Sequence, residues 1–379
     1  MENEKLVPKL RFSGFDDDWQ ETTLNDIATF SKGKGISKND ISEEGIECVR
    51  YGELYTKYGE LIYNIDSKTN LNKNELVLSN KNDILIPCSG ETAIDLATAS
   101  CIQKEQVAIG GDITIIQTNQ HAPFITYYLN QKRNEIARFA QGVSIVHLYS
   151  KDFKALKMKI PSINEQKKII SLLEVLTKKE QLLEQKYRDY QEFKKYLMQQ
   201  IFAQKLRFDF DTFKLKDLSK INKGKQLNKD DMVENGEYYV LNGGKEPSGY
   251  TNSWNTPENT ITISEGGNSC GFVNYNEEKF WSGGHCYYLS DLSKNLDDYY
   301  LFSYLKFIEP KIMRLRVGSG LPNIQKGDIE NIKIKIPTMK EQLKISNLLL
   351  SVDKKINSIV FQKDNFEIFK KGLLQQMFV

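Results

Sequence analysis

The sequence predicts an α+β fold in which two β-rich modules are separated by a pair of long antiparallel coiled-coil helices, as a pseudo-two-fold internal repeat. Three observations predict it. One helix-forming segment occurs twice. A short basic turn opens each half. The stretches between these landmarks are strand-like and differ between the halves.

The repeated segment begins Ile160-Pro161-Ser162-Ile163-Asn164-Glu165-Gln166 and returns as Ile336-Pro337-Thr338-Met339-Lys340-Glu341-Gln342, an offset of 176 from Glu165 to Glu341. The offset holds without a gap through Phe202 and Phe378, with roughly 17 of about 43 positions identical. No Pro or Gly interrupts residues 164–202. Steps of seven give Ile169, Leu176, Leu183, Tyr190 and Leu197, matched by Ile345, Val352, Ile359, Phe366 and Leu373. Leu172, Leu173, Tyr187, Phe193 and Ile201 widen the first stripe; Leu348, Leu349, Ile356, Phe369 and Met377 widen the second. A sustained heptad with Glu, Gln and Lys elsewhere reads as a helix-pairing seam, interrupted at Lys179 and Lys355. Each helix would span roughly 50–60 Å at 1.5 Å per residue. The alternative is two helices that each pack only on their own module.

At the front of each half, Leu24-Asn25-Asp26-Ile27 matches Leu215-Lys216-Asp217-Leu218, and Lys32-Gly33-Lys34 matches Lys223-Gly224-Lys225. Here the offset is 191, so the middle of the first half is the longer. Asp83-Ile84-Leu85-Ile86-Pro87 and Thr260-Ile261-Thr262-Ile263-Ser264 read as strands, as do Ile113-Thr114-Ile115-Ile116 and Cys286-Tyr287-Tyr288-Leu289, the latter two entered from Gly-Gly pairs. Residues 124–139 and 299–316 read as helical. Each Ile-Pro stops a strand and sets up a helix. Gln199-Gln200-Ile201-Phe202 is followed by Lys205-Leu206-Arg207-Phe208, whereas Gln375-Gln376-Met377-Phe378 has its continuation at the start of the chain, in Lys9-Leu10-Arg11-Phe12. The N-terminal segment is therefore expected to dock at the end of the second helix.

The 379 residues are 40% hydrophobic and 27% charged, enough for two or three globular domains. Basic residues number 52 against 50 acidic, so charge balance alone gives no reason to infer nucleic-acid binding. Five cysteines without paired spacing argue for reduced thiols and a cytoplasmic setting. No signal peptide and no membrane span is expected.

With these features in place, the chain resembles the specificity subunits of type I restriction–modification enzymes. The resemblance covers nearly all of it. It rests on Pro8-Lys9-Leu10-Arg11-Phe12 with Trp19, on the Lys-Gly-Lys turns, and on the two Ile-Pro-x-x-x-Glu-Gln helix starts. It implies a first target-recognition domain at 1–159, a helical spacer at 160–205, a second recognition domain at 206–335 and a second spacer at 336–379. Each domain would read one half of a split, asymmetric site in double-stranded DNA. The helices would act as a ruler and as the docking surface for two methyltransferase subunits, with restriction and translocase subunits joining through the complex. One chain would thus copy the half-site geometry of a symmetric DNA-binding dimer while letting the halves differ.

No catalysis is expected on this chain. It has no Pro-Pro for an adenine-methyltransferase motif, no Gly-x4-Gly-Lys-Ser/Thr loop and no Pro-Asp pair. Its histidines, His121, His147 and His285, lack zinc-ligand spacing, so neither cofactor nor metal is expected. Phe30-Ser31-Lys32-Gly33-Lys34-Gly35 reads as a basic turn rather than a cofactor loop.

Candidate DNA contacts follow from residue type. The loop before the second Ile-Pro carries Arg314, Arg316, Gly318, Ser319, Gly320, Asn323 and Gln325; its counterpart carries Arg138, Gln141, Gly142, Ser144, His147 and Tyr149. Lys32, Lys34, Lys223 and Lys225 are candidates for phosphate contacts, the alternative being solvated turn lysines. Arg50, Tyr51, Tyr55 and Tyr58, and in the second half Tyr238, Tyr239, Asn242 and Lys245, form basic-aromatic clusters whose aromatics more often belong to a core. The competing readings are a structural coiled-coil protein whose heads bind protein or sugar, which the duplicated basic loops disfavour, and a standalone methyltransferase or nuclease, which the missing motifs disfavour.

Overall fold

Two helices of 40 and 39 residues, Ile163–Phe202 and Met339–Met377, follow the two Ile-Pro pairs. The computed structural model describes residues 7–142, 146–203, 209–318, 320 and 322–378. It divides into two compact units, one of residues 1–182 with 363–379 and one of residues 183–362. Each unit therefore holds a β-rich module, the start of the helix that follows it, and the end of the other long helix.

In the first unit, a five-stranded sheet runs in the order Ala28–Lys32, Ile113–Thr118, Ile84–Pro87, Ser100–Ile102, Leu61–Ile62. A four-stranded sheet runs Ala108–Ile109, Ile46–Val49, Ser67–Thr69, Ile41–Ser42. The strand Ile84–Pro87 is buried along its length, as a continuous apolar run requires. In the second unit the main sheet runs Lys220–Lys223, Cys286–Ser290, Thr260–Ser264, Val273–Asn276, beside a sheet of Gly249–Thr251, Tyr238–Leu241 and Trp281–Ser282. The anticipated strands are all present. One pairing was not anticipated: Gln20–Thr23 pairs with Lys157–Ile160, and Asp211–Lys214 with Lys333–Ile336. These polar four-residue strands carry no apolar alternation, so the Lys-Gly-Lys turns follow the second strand of each half, not the first. The expected helix 124–139 is two pieces, Ala122–Gln131 and Arg133–Ala137, and its counterpart, Asp298–Met313, stops before Arg314.

The repeated Glu-Gln pair explains how each long helix is seated. Gln166 is fully buried. Its amide donates to Gln120 Oε1 and the Pro161 carbonyl, both at 2.9 Å, and its oxygen accepts the His121 N–H at 3.0 Å. Gln342 does the same, donating to the carbonyls of Asn295 and Pro337 at 3.0 Å and accepting the Asp297 N–H at 2.9 Å. Both glutamines thus tie the first turn of a long helix to the N-terminus of the module helix before it. The aromatic packing repeats as well. Phe378 stacks on Phe124 at 5.3 Å and meets Tyr128 edge-on, while Phe202 meets Tyr300 and Tyr304.

Within the first unit Leu10 N–H donates to the Gln376 carbonyl at 2.9 Å, and Arg11 forms two 2.8 Å bonds to the Glu165 carboxylate. Adjacent residues thus join the end of the second helix to the start of the first, so the two run antiparallel there. Lys370 pairs with Glu180 at 2.7 Å, and Lys179 lies over the Phe366 ring. The N-terminal segment docks as expected; its counterpart, Lys205, Leu206, Arg207 and Phe208, lies outside the described residues.

The seam is buried or half-buried at every one of its ten heptad positions. The residues that widen it follow i+4, not i+3. Leu173, Ile201, Leu349, Ile356 and Met377 are buried, whereas Phe193, Leu348 and Phe369 are 47%, 44% and 55% exposed. Three residues turn an α-helix 300° and four turn it 400°, so the two sets flank the stripe on opposite sides, and only the i+4 side faces protein. In the second unit Ile345, Leu349, Met198, Ile201 and Phe202 join the core of the module itself. Pairing with the other helix and packing on the module therefore both occur.

Glu165 is 1% exposed and Arg11 is its partner at both oxygens. Arg11→Ala strands a buried carboxylate and is expected to cost about 3 kcal/mol in chemical denaturation. Glu165→Gln in the Arg11→Ala background should recover part of that loss; no recovery would mean that the pair does not hold the N-terminal segment in place.

Candidate nucleic-acid interface

Each Lys-Gly-Lys turn is built by close backbone approach. A Cβ on Gly33 would stand 2.0 Å from the Gly110 carbonyl oxygen, and one on Gly224 would stand 2.2 Å from that of Gly283. Only glycine fits. The turn is pinned by Gly33 N–H to the Ile113 carbonyl and Lys34 N–H to that of Ile109, and in the second module by Gly224 N–H to Cys286 and Lys225 N–H to Ser282. Lys32, Lys34, Lys223 and Lys225 all project from these turns with exposed side chains.

The candidate loops are a matched pair of hairpins. Gln141 and His147 exchange backbone hydrogen bonds of 2.9 and 2.7 Å, and Val317 and Asn323 exchange bonds of 2.9 and 2.8 Å. Both hairpins continue through a glycine with positive φ, Gly142 at 125° and Gly318 at 96°. The offset is again 176, and it also equates Ser89 with Glu265, Arg138 with Arg314 and Tyr149 with Gln325. Ser144 and Ser319, at the tips, lie outside the described residues. Arg138 and Arg314 follow the last residues of their helices, where a cation also meets the negative end of the helix dipole.

In the first module the structure brings Lys32, His147 and Tyr149 together. The His147 and Tyr149 rings stack at 6.1 Å, the Lys32 amine lies 5.7 Å from the Tyr149 ring centroid, and Lys151 flanks the same ring at 5.6 Å. Ser89 Oγ is 3.1 Å from His147 Nδ1. The result is an aromatic-basic patch with donors at its rim. Lys34 and Arg138 are exposed and stand outside these contacts.

The second module builds a different site on the same frame. Lys223 ion-pairs with Glu265 at 2.7 Å, so its amine is engaged and is not a free solvated turn lysine. The Tyr287 hydroxyl donates to the same carboxylate oxygen at 2.9 Å, and burial together with Glu265 pushes the Tyr287 phenol well above its usual value. Glu265 is 5% exposed, and its second oxygen has no hydrogen-bond partner, with His285 Nδ1 3.7 Å away. Arg316 and Gln325 are exposed, and Asn323 is half-buried. Sequence reasoning missed Ser89, Lys151 and Glu265. Carrying the helix offset of 176 back through the loops would have equated Ser89 with Glu265, each beside a glycine that follows a strand.

The aromatic clusters divide. Tyr58 packs on the core, where burial pushes its hydroxyl up to about 12, and Tyr239 stacks on Phe280 at 5.4 Å. Tyr51 and Tyr55 instead line a cleft of 920 Å³ with Arg50. Lys245 lies over the Phe272 ring. All five cysteines are buried, and burial lifts the Cys48 and Cys286 thiols to about 11 and that of Cys101 to about 12, which suits packing and not nucleophilic attack. Among the described residues no group of three or more His, Cys, Asp or Glu is placed to hold a metal ion, and no helix is long and apolar enough to cross a membrane.

A family model for the type I restriction modification DNA specificity domain matches residues 16–189 and again residues 208–365. A Mycoplasma pneumoniae protein provisionally named a type I specificity subunit is 32% identical over 144 residues; the match spans 38% of this chain and only 38% of that protein. A type I restriction enzyme specificity subunit of Methanocaldococcus jannaschii is 36% identical over 90 residues, 24% of this chain and 21% of that one. The crystal structure of a type I restriction-modification S subunit from M. genitalium superposes with a TM-score of 0.71 at 19% identity, covering 98% of this chain and 99% of the other, so the two share a fold. The two family-model matches fall one on each half of the internal repeat, and the chain belongs to the family of type I restriction-modification DNA specificity domains, of which it carries two.

Proposed function

We propose that this chain is the DNA sequence-specificity subunit of a type I restriction–modification complex, that it reads a bipartite asymmetric site in double-stranded DNA, and that it carries out no catalysis itself. The observation that carries this reading is the matched pair of hairpins. They stand on one backbone frame but present His147, Tyr149 and Lys32 in one module and Asn323, Gln325 and the Lys223–Glu265 pair in the other. Two equivalent platforms with unlike side chains suit two unlike half-sites. Base contacts are assigned to His147, Tyr149, Asn323 and Gln325, with Ser144 and Ser319 at the tips. Backbone contacts are assigned to Lys32, Lys34, Lys223, Lys225, Arg138, Arg314 and Arg316.

The recognition domains span 1–159 and 206–335, and the helical regions 160–205 and 336–379 serve as spacers and as docking surface for two methyltransferase subunits. Restriction and translocase subunits join through that complex, which works in the cytoplasm. Solved structures of the family include a chain from a study of type I complex assembly, similar in fold at a TM-score of 0.57.

Three outcomes are expected. The purified chain, incubated with S-adenosylmethionine and DNA, incorporates no methyl groups; incorporation without a partner subunit would overturn the non-catalytic assignment. Exchange of residues 13–158 for the corresponding module of a relative changes only one half of the methylated target, as read by mapping methylated bases; a change in both halves would refute the modular division. Insertion of four residues near Lys186 lengthens the helix by roughly 6 Å and turns it about 40° past a full turn. The spacer between half-sites should then grow by about one or two base pairs at 3.4 Å each, with some loss of stability. An active mutant with an unchanged spacer would show that the helices do not set it.

A further inference from the structure

We propose that Arg50 is a base-reading residue of the first module and that the base it reads is guanine. The proposal rests on the DNA-reading function given above and assigns one specificity position within it.

Arg50 sits where the turns of the module converge. It directly follows the strand Ile46–Val49, which runs parallel to Ala108–Ile109. The Gly110 N–H donates to the Val49 carbonyl at 2.8 Å, and the Lys34 N–H donates to that of Ile109 at 3.0 Å. The basic turn, the Gly-Gly turn and Arg50 thus form one constellation. The second module repeats it. Tyr238–Leu241 runs parallel to Trp281–Ser282, the Gly283 N–H donates to the Leu241 carbonyl at 2.9 Å, and the Lys225 N–H donates to that of Ser282 at 2.9 Å. The residue at the position of Arg50 is Asn242. The frame is kept while its occupant changes from arginine to asparagine. A residue needed only to hold the frame would have no reason to change, because the frame does not. Arginine and asparagine are also the two side chains that make paired contacts to different bases in the major groove, arginine to guanine O6 and N7, asparagine to adenine.

The guanidinium of Arg50 has donors to offer. The nearest carboxylate is Glu53, but Nη2 lies 3.8 Å from it, beyond hydrogen-bond reach. Glu53 has other partners. Burial pushes its carboxyl up, but bonds from Ser67, the Arg50 backbone N–H and Lys57 outweigh this and hold it below the usual value without the guanidinium. Arg50 Nε is buried and has no hydrogen-bond partner. The side chain lines the 920 Å³ cleft with Lys38, Tyr51 and Tyr55. Tyr55 stands beside Gly90, whose strand pairs with Val146 at the root of the reader hairpin. Asp40, Glu91 and Asp112 share the cleft walls and would repel a phosphate. A base edge is neutral and presents acceptors, so it suits this mixture of charges better than backbone does.

The test uses the full chain reconstituted with its methyltransferase subunits. Methylation mapping with the wild-type complex gives both half-sites. Arg50→Ala and Arg50→Gln should then relax one G·C position in the first half, by roughly 5- to 150-fold in preference. Unchanged reading of the second half by the same chains serves as the control for folding. Independently of any substitution, 7-deazaguanine at that position removes the N7 acceptor. It should lower methylation by the wild-type complex within the same range and have no further effect on the Arg50→Ala complex. Retention of every first-half preference by both variants, or full tolerance of 7-deazaguanine at each first-half guanine by the wild-type complex, overturns the assignment of Arg50. A wild-type complex that methylates with no sequence preference overturns the DNA-reading function itself, and the role of Arg50 with it.

Discussion

Each half of this protein depends on one buried glutamine. Gln166 and Gln342 sit at the foot of a long helix with every polar atom of the amide engaged, and each ties a helix start to the module helix before it. A buried amide left unpaired costs about 1–3 kcal/mol, so the three bonds act as a geometric specification rather than as added strength. They set the direction in which the helix leaves the module. The aromatic clusters of Phe378 with Phe124 and of Phe202 with Tyr300 then close around that junction.

The modules separate frame from content. The Lys-Gly-Lys turn, the Gly-Gly turn and the hairpin recur because their backbone hydrogen bonds and close approaches admit few residue types. The side chains on that frame are under no such restriction. Ser89 becomes Glu265, His147 becomes Asn323, Tyr149 becomes Gln325 and Arg50 becomes Asn242. The electrostatic consequence is local. In one module a lysine lies over an aromatic ring, and in the other the equivalent lysine neutralises a buried glutamate. The net charge of +2 hides these differences, which is why composition says little about the chain.

The sequence alone determined the repeat, the two long helices, the main strands and the hairpin segments, because these rest on periodicity, glycine and proline placement and spacing along the chain. Ile169 and Ile345 were legible as seam residues for that reason, and the aligned hairpins were legible as a pair. Only the tertiary structure decided which flank of each helix is covered. Heptad spacing places Phe193 and Phe369 near the stripe as surely as Ile201 and Met377, and only the packing partner separates exposed from buried. The same holds for the candidate contacts. Residue type marked Lys32 and Lys223 alike, but the company each keeps, Tyr149 in one case and Glu265 in the other, is set by residues distant in sequence. Pattern along a chain encodes local geometry; the partner of a side chain is a property of the fold.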